Sequence, residues 1–189
     1  MKFLAALIFL ALSVNAIATD VAILSIGTPE NKVPQQVVIE LYPEAAPLTV
    51  ANFEKLARKK FYKGMTFHRA IPGKLVQTGD PLSKKKNPNL PLGTSGPGYV
   101  VPAEIKLRHE RGSVAMGRLP DRINPNKASN GSQFYVCLAP APTLNGEYTV
   151  FGKVISGLEV LETLSRGETD SNGVPLKRAV IRSVKITQQ

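Results

Sequence analysis

The stretch Thr66-Phe67-His68-Arg69-Ala70-Ile71-Pro72-Gly73-Lys74-Leu75-Val76-Gln77-Thr78-Gly79 sets two short runs on either side of a Pro-Gly pair. Pro pre-sets the backbone angle of a tight turn and Gly accepts its unusual dihedrals, so residues 66–71 and 75–79 are predicted to be neighbouring antiparallel strands. Before them, Pro47 to Lys60 repeats apolar residues at Val50, Phe53, Leu56 and Ala57, with Glu54, Lys55, Arg58 and Lys59 elsewhere, which predicts an amphipathic helix with one face on a core. Basic residues gather at its end, where the helix macrodipole favours them. After them, Asp80 to Pro97 is rich in Pro, Gly, Asn and Lys and reads as a long exposed loop.

The rest of the chain repeats this short-strand pattern. Asp20–Ile26 and Gln36–Leu41 are rich in β-branched residues and are separated by Pro29, Asn31 and Pro34. Further strands are expected at Gly98–Val101, Ser113–Met116, Gln133–Leu138, Thr149–Val154 and Ala179–Thr187, and a second helix at Leu158–Ser165, closed by Gly167. Eight or so short strands and only two helices predict an all-β dominated domain, an antiparallel barrel that closes to remove its edges. Periodicity alone does not say which barrel.

Composition sets the outer bounds. The chain has 189 residues, 43% of them hydrophobic and 20% charged, with a mean hydropathy of −0.04, which supports a packed core rather than a disordered chain. The N-terminus runs Met1-Lys2, then Phe3 to Val14 with one polar residue, then the small residues Ala16 and Ala18. A positive start, a short apolar segment and a small-residue exit form a secretory signal over residues 1–18, with cleavage expected after Ala16 or Ala18. The apolar run is shorter than the roughly 20 residues a membrane span needs, so no stable membrane insertion is expected after cleavage. Residues 19–189 then make one domain, expected in a periplasm or outside the cell. The charge of +10 would raise nucleic acid as a partner, but export removes the chain from it. The clusters Lys84–Lys86 and Lys55–Lys63 read as solvated faces, with contact to anionic envelope components as the functional alternative.

Conventional catalytic sets are poorly represented. The one cysteine, Cys137, sits in an apolar run and reads as an inert buried thiol, with no partner for a disulfide and no zinc-spaced cluster. His109 lies in the charged run Lys106–Arg111 and reads as surface, and no GxSxG, P-loop or HExxH pattern is present. Asn130-Gly131-Ser132 matches a glycosylation acceptor, but reads more simply as a tight turn.

Phe67-His68-Arg69-Ala70-Ile71-Pro72-Gly73, Gln77-Thr78-Gly79-Asp80, Asn130-Gly131-Ser132-Gln133-Phe134-Tyr135-Val136 and Val150-Phe151-Gly152-Lys153-Val154 occur in that order. Together they resemble the cyclophilins, the peptidyl-prolyl cis–trans isomerases, and in particular their compact exported bacterial members. The resemblance implies a closed eight-stranded antiparallel β-barrel capped by two α-helices, with the site on its outer surface. It places Arg69 on the essential arginine and Gln77 on the glutamine beside it. It also places Gln133 on a backbone-binding glutamine, Tyr135 on the aromatic floor of a proline pocket, Leu144 on its wall, and His68 on a supporting histidine. Without the flanking motifs, Arg69 would read as an ordinary strand arginine in a surface ion pair. Lys74 and Leu75 replace a phenylalanine and a methionine of the wall, Thr143 stands where several members carry a tryptophan, and Tyr148 replaces a pocket histidine. The resemblance implies proline-containing unfolded or partly folded polypeptides as partners, no cofactor or metal, a monomer, and weak cyclosporin binding. A non-catalytic proline-binding or chaperone-like module on the same fold is the alternative.

Overall fold

A computed structural model describes residues 20–31, 33–87 and 89–188. The expected signal segment, residues 1–18, lies outside them. Ten elements follow in chain order: β1 Asp20–Gly27, β2 Gln35–Leu41, α1 Pro47–Arg58, β3 Arg69–Ile71, β4 Leu75–Thr78, β5 Ser113–Met116, β6 Phe134–Cys137, β7 Val150–Ser156, α2 Leu158–Ser165 and β8 Val180–Gln188. The strands form one antiparallel sheet in the order β3-β4-β6-β5-β7-β2-β1-β8.

The sheet is strongly curled but its ladder does not close into the ring expected from the sequence. β3 and β8 are its two ends and do not pair as strands. The gap is crossed by the segment just before β3, where Gly64 N and Ile181 N donate to Ile181 O and Met65 O, both at 2.8 Å, and Phe67 N donates to Ala179 O at 3.3 Å. One bridge, Thr66 to Val180, is all that forms there. The reason is local: β3 is only three residues long, and its free edge is taken by a loop instead, Ala70 N donating to Gly173 O at 2.8 Å. The expected strand at Gly98–Val101 is likewise absent, reduced to a single bridge between Val101 and Ser129. Gly98 at φ +90 breaks the extended path, and Pro102 lacks the N–H a ladder needs.

Inward-facing residues of the sheet meet both helices in one core. Phe53 of α1 packs on Tyr62, Phe134 and Phe151, with ring centroids 5.3–5.6 Å apart. The period-2 alternation of the strands then fixes what faces out. Ala70, Val76, Val136 and Val114 form an inward row, and their sequence neighbours Arg69, Gln77, Tyr135 and Ala115 form the adjacent outward row across β3, β4, β6 and β5. None of the helices among the described residues is long and apolar enough to cross a membrane.

Candidate active site

A second, smaller apolar cluster sits on the outer face of the sheet. Tyr135, Cys137, Ala115 and Val150 form its buried base, and Leu75, Ala141, Leu144 and Tyr148 pack against it half-buried. A groove of about 1290 Å³ opens over it. Burial pushes the Cys137 thiol up to about 11, so it is protonated and inert at neutral pH, in line with its reading as a buried thiol.

His68, Arg69, Lys74, Leu75, Gln77, Tyr135, Leu144 and Tyr148 all line this groove. Arg69 and Gln77 are direct cross-strand partners, and Gln77 is in turn the partner of Tyr135. Arg69 is exposed and takes part in none of the ion pairs among the described residues, so its donors point at solvent rather than at a carboxylate. That removes the surface-ion-pair reading of this arginine.

Gln133 is placed differently from the other expected residues. It is 2% exposed, does not line the groove, and has its amide committed. Its Nε2 donates to the Ser95 carbonyl at 2.7 Å, and its Oε1 accepts from Gln77 Nε2 at 2.9 Å. Because a carbonyl oxygen only accepts, Ser95 O orients both amides in sequence and leaves Gln77 Oε1 as the acceptor near Arg69. Gly79, at φ +93, lets the chain pass here, since a side chain would overlap the Ser132 carbonyl oxygen.

The loop 80–97 is less exposed than its composition predicts. Asp80 is fully buried and accepts from Leu82 N at 2.7 Å, Gly93 N at 2.6 Å and Ser95 N at 3.3 Å, drawing the loop back over His68. Asp80-Pro81 is a helix-start signature, and the residues cap a short 3-10 turn, Pro81–Lys84. Asn130 closes a tight turn by accepting from Ser132 N and Gln133 N, as the simpler reading of that sequon has it. His68 is buried with neither ring nitrogen in a hydrogen bond of normal geometry. Burial lowers its pKa, against a smaller upward pull from Asp80 and Gln133.

The reading of His109 as surface is overturned. It is 2% exposed and stacks on Tyr135, with planes 9° apart. Its Nδ1 lies 3.2 Å from Asn145 Oδ1, an oxygen that already accepts from His109 N at 2.8 Å. Nδ1 therefore carries the proton, and Nε2 accepts from the Tyr135 hydroxyl at 2.9 Å. Burial lowers the His109 pKa and raises that of Tyr135, which keeps this pair neutral. Tyr148 meets Tyr135 edge-on at 5.7 Å, and the Arg118 guanidinium covers the other side of Tyr148 at 4.9 Å. Arg118 is held by Glu147 at 2.8 Å and by Asp121. These supporting residues come from irregular segments, where sequence periodicity carries no directional signal.

An apolar floor, a free cationic donor and an oriented amide in one row suit a ligand with an apolar ring next to an amide. Comparison with known proteins agrees. The signature of the Cyclophilin type peptidyl-prolyl cis-trans isomerase/CLD family matches residues 25–186. Peptidyl-prolyl cis-trans isomerase B of Bacillus subtilis is 46% identical over 136 residues, covering 70% of this chain and 85% of that protein. A probable peptidyl-prolyl cis-trans isomerase of Brucella suis is 40% identical over 180 residues, 90% of this chain and 87% of its own. The crystal structure of a Cryptosporidium parvum cyclophilin type peptidyl-prolyl cis-trans isomerase superposes with a TM-score of 0.75 at 29% identity, over 92% of this chain and 99% of that one. That protein has also been crystallised in the presence of the dipeptide Ala-Pro, with a TM-score of 0.74 to this chain. On motif order, fold and the match along most of its length, this chain belongs to the cyclophilin-type peptidyl-prolyl cis–trans isomerases.

Proposed function

We propose that this chain accelerates X–Pro isomerisation during the folding of exported proteins, with Arg69 donating to the prolyl nitrogen of a twisted amide. Rotation about an X–Pro bond must break amide resonance, a barrier of about 18–20 kcal/mol. No covalent bond breaks. At the twisted transition state the prolyl nitrogen pyramidalises and regains a lone pair that neither planar ground state offers. A donor aimed at it lowers the barrier selectively.

The observation that carries this reading is the outward row Arg69–Gln77–Tyr135. It sets an unpaired guanidinium two strands from an aromatic floor, so a pyrrolidine ring resting on Tyr135 between Leu75 and Leu144 has its amide towards Arg69. A guanidinium offers five N–H donors in a rigid fork and no acceptor, so it serves as a fixed donor. Gln133 holds the Gln77 amide, which leaves Gln77 Oε1 free to accept from Arg69 or from the substrate, and His68 lines the same groove. Lys74 sits at the exposed turn, where its stem borders the groove while its ammonium stays in water.

Export rests on the 1–18 signal pattern, and N-terminal sequencing of the secreted chain should begin at Ile17 or Thr19. Weak cyclosporin binding rests on Thr143, which is exposed at the groove. The monomeric state is proposed alongside and is checked by sedimentation. A protease-coupled assay on a short X–Pro peptide tests the activity. Arg69→Ala is expected to lower kcat/KM roughly 10²- to 10³-fold, the usual cost of losing one transition-state donor. Client binding without any acceleration by the wild-type chain would replace this reading with the non-catalytic one.

A further inference from the structure

The groove does not end at the apolar cluster. It continues across β3 into a cleft between residues 85–87 and 90–93 on one side and the 170–178 loop on the other. Arg178 ties the loops together, donating to Ser83 O at 2.9 Å and Lys85 O at 3.3 Å. The lining here is of one sign. Arg69, Lys74, Lys85, Lys86 and Arg178 line the groove, and no ion pair among the described residues involves any of them. The one acid on this stretch of lining is Asp170, and its Oδ1 accepts from Asn172 N at 2.8 Å and Val174 N at 2.9 Å. Lys84, held by the Phe61 carbonyl at 2.8 Å, carries the positive surface on towards Lys60 and Lys63.

Cations gathered in a concave, low-dielectric surface focus their field on whatever enters it. We propose that this cleft is an accessory binding site for acidic residues of the same polypeptide whose X–Pro bond lies over Tyr135. The inference rests on the isomerase reading and names the class of substrate it favours. Sheet geometry sets the reach. Tyr135, Gln77 and Arg69 lie on successive strands, and the 170–178 loop lies one chain-width beyond β3. At about 4.8 Å per strand and about 3.3 Å per extended residue, the cleft is reached some three to five residues from the proline. A solvated face would serve solubility equally well on the convex surface, whereas these side chains border the groove that holds the amide.

The test compares kcat/KM for X–Pro peptides that differ only in a Glu-Glu or Gln-Gln pair set three to five residues before or after the proline. At low salt the acidic peptide is expected to be favoured roughly three- to tenfold on one side of the proline, as for two exposed ion pairs. The advantage should shrink towards one at about 0.5 M salt. The full chain carrying Lys85→Gln and Lys86→Gln should lose the preference, read as the acidic-to-neutral ratio. Arg182→Gln with Lys185→Gln, two cations removed from β8, should keep it.

Equal rates on both flanks with the neutral peptide turned over would overturn the acidic preference and leave the isomerase intact. No turnover of any peptide would overturn both. A preference that survives Lys85→Gln and Lys86→Gln would overturn the site assignment. Equal rates together with tight binding to phosphatidylglycerol vesicles would overturn the proposal in favour of a lipid surface.

Discussion

Arg69 and Gln77 were legible through the motifs that flank them and the family those motifs resemble, and strand alternation then accounts for both facing outward. His109 was not, because it lies in an irregular run where neighbouring charges suggested solvent and the side chain in fact turns inward. Its part follows from its contacts: it accepts from the Tyr135 hydroxyl and stacks on that ring, so it supports the apolar floor without itself lining the groove. His109→Ala leaves a buried hydroxyl unpaired and a void behind the floor. The expected cost is about 2–4 kcal/mol of stability, combining the unsatisfied group and the lost packing. In kinetics the signature differs from that of Arg69→Ala. KM should rise several-fold while kcat stays near the wild-type value, since Arg69, the proposed donor to the prolyl nitrogen, is untouched. A loss confined to kcat would assign His109 a part in the chemistry. Gln133 shows a different gap between sequence and structure: its position was legible, but not that its amide is spent on Ser95 and Gln77 rather than facing the groove.

At the scale of elements, the core face of α1 was legible from Val50, Phe53, Leu56 and Ala57, all buried as the spacing requires. Its start was not. Ala46 at the N-cap makes no side-chain cap, and the first turn holds no acid. The cap comes instead from Glu104, whose carboxylate accepts from Leu48 N at 3.0 Å, Thr49 N at 2.9 Å and Thr49 Oγ at 2.8 Å. Capping signals in sequence are local, within about one turn, so a partner some 55 residues away cannot be read from the motif. The negative charge also sits where the helix dipole is positive. Glu104→Ala should therefore cost about 2 kcal/mol in denaturant unfolding, at the upper end of N-cap losses because two backbone donors and a buried hydroxyl lose their partner together. Glu104→Gln should restore part of it. If Glu104→Ala shifts the midpoint no more than an ordinary surface substitution, α1 does not depend on this contact.

At the scale of the molecule, eight of the nine expected strands and both helices followed from hydrophobic pattern, but closure did not. It depends on whether β3 is long enough to pair with β8, and the competition between β8 and the 170–174 loop for that edge is a tertiary matter. The electrostatic behaviour of the whole chain is likewise set by burial more than by composition. His68 and His109, the only histidines, are both buried, and both have pKa values held below the ordinary 6.5 mainly by desolvation. In the unfolded chain they take up protons as the pH falls through 6.5, whereas in the folded chain they do so only at lower pH. Between those limits the unfolded state binds more protons, so acidification favours unfolding. Their contribution is complete above pH 6.5 and is lost as the pH falls through the folded values. Added positive charge on a chain already at +10 acts in the same direction by self-repulsion. The thermal midpoint should therefore be flat from about pH 8 to 6.5 and fall below it, before the carboxylates begin to protonate near pH 4. The slope between pH 6.5 and 5 should shrink in His109→Gln, which removes one of the two proton acceptors. A midpoint that holds steady down to pH 5 would mean that the two rings charge as readily inside the fold as outside it, and that neither nitrogen of His109 is committed to accepting from Tyr135.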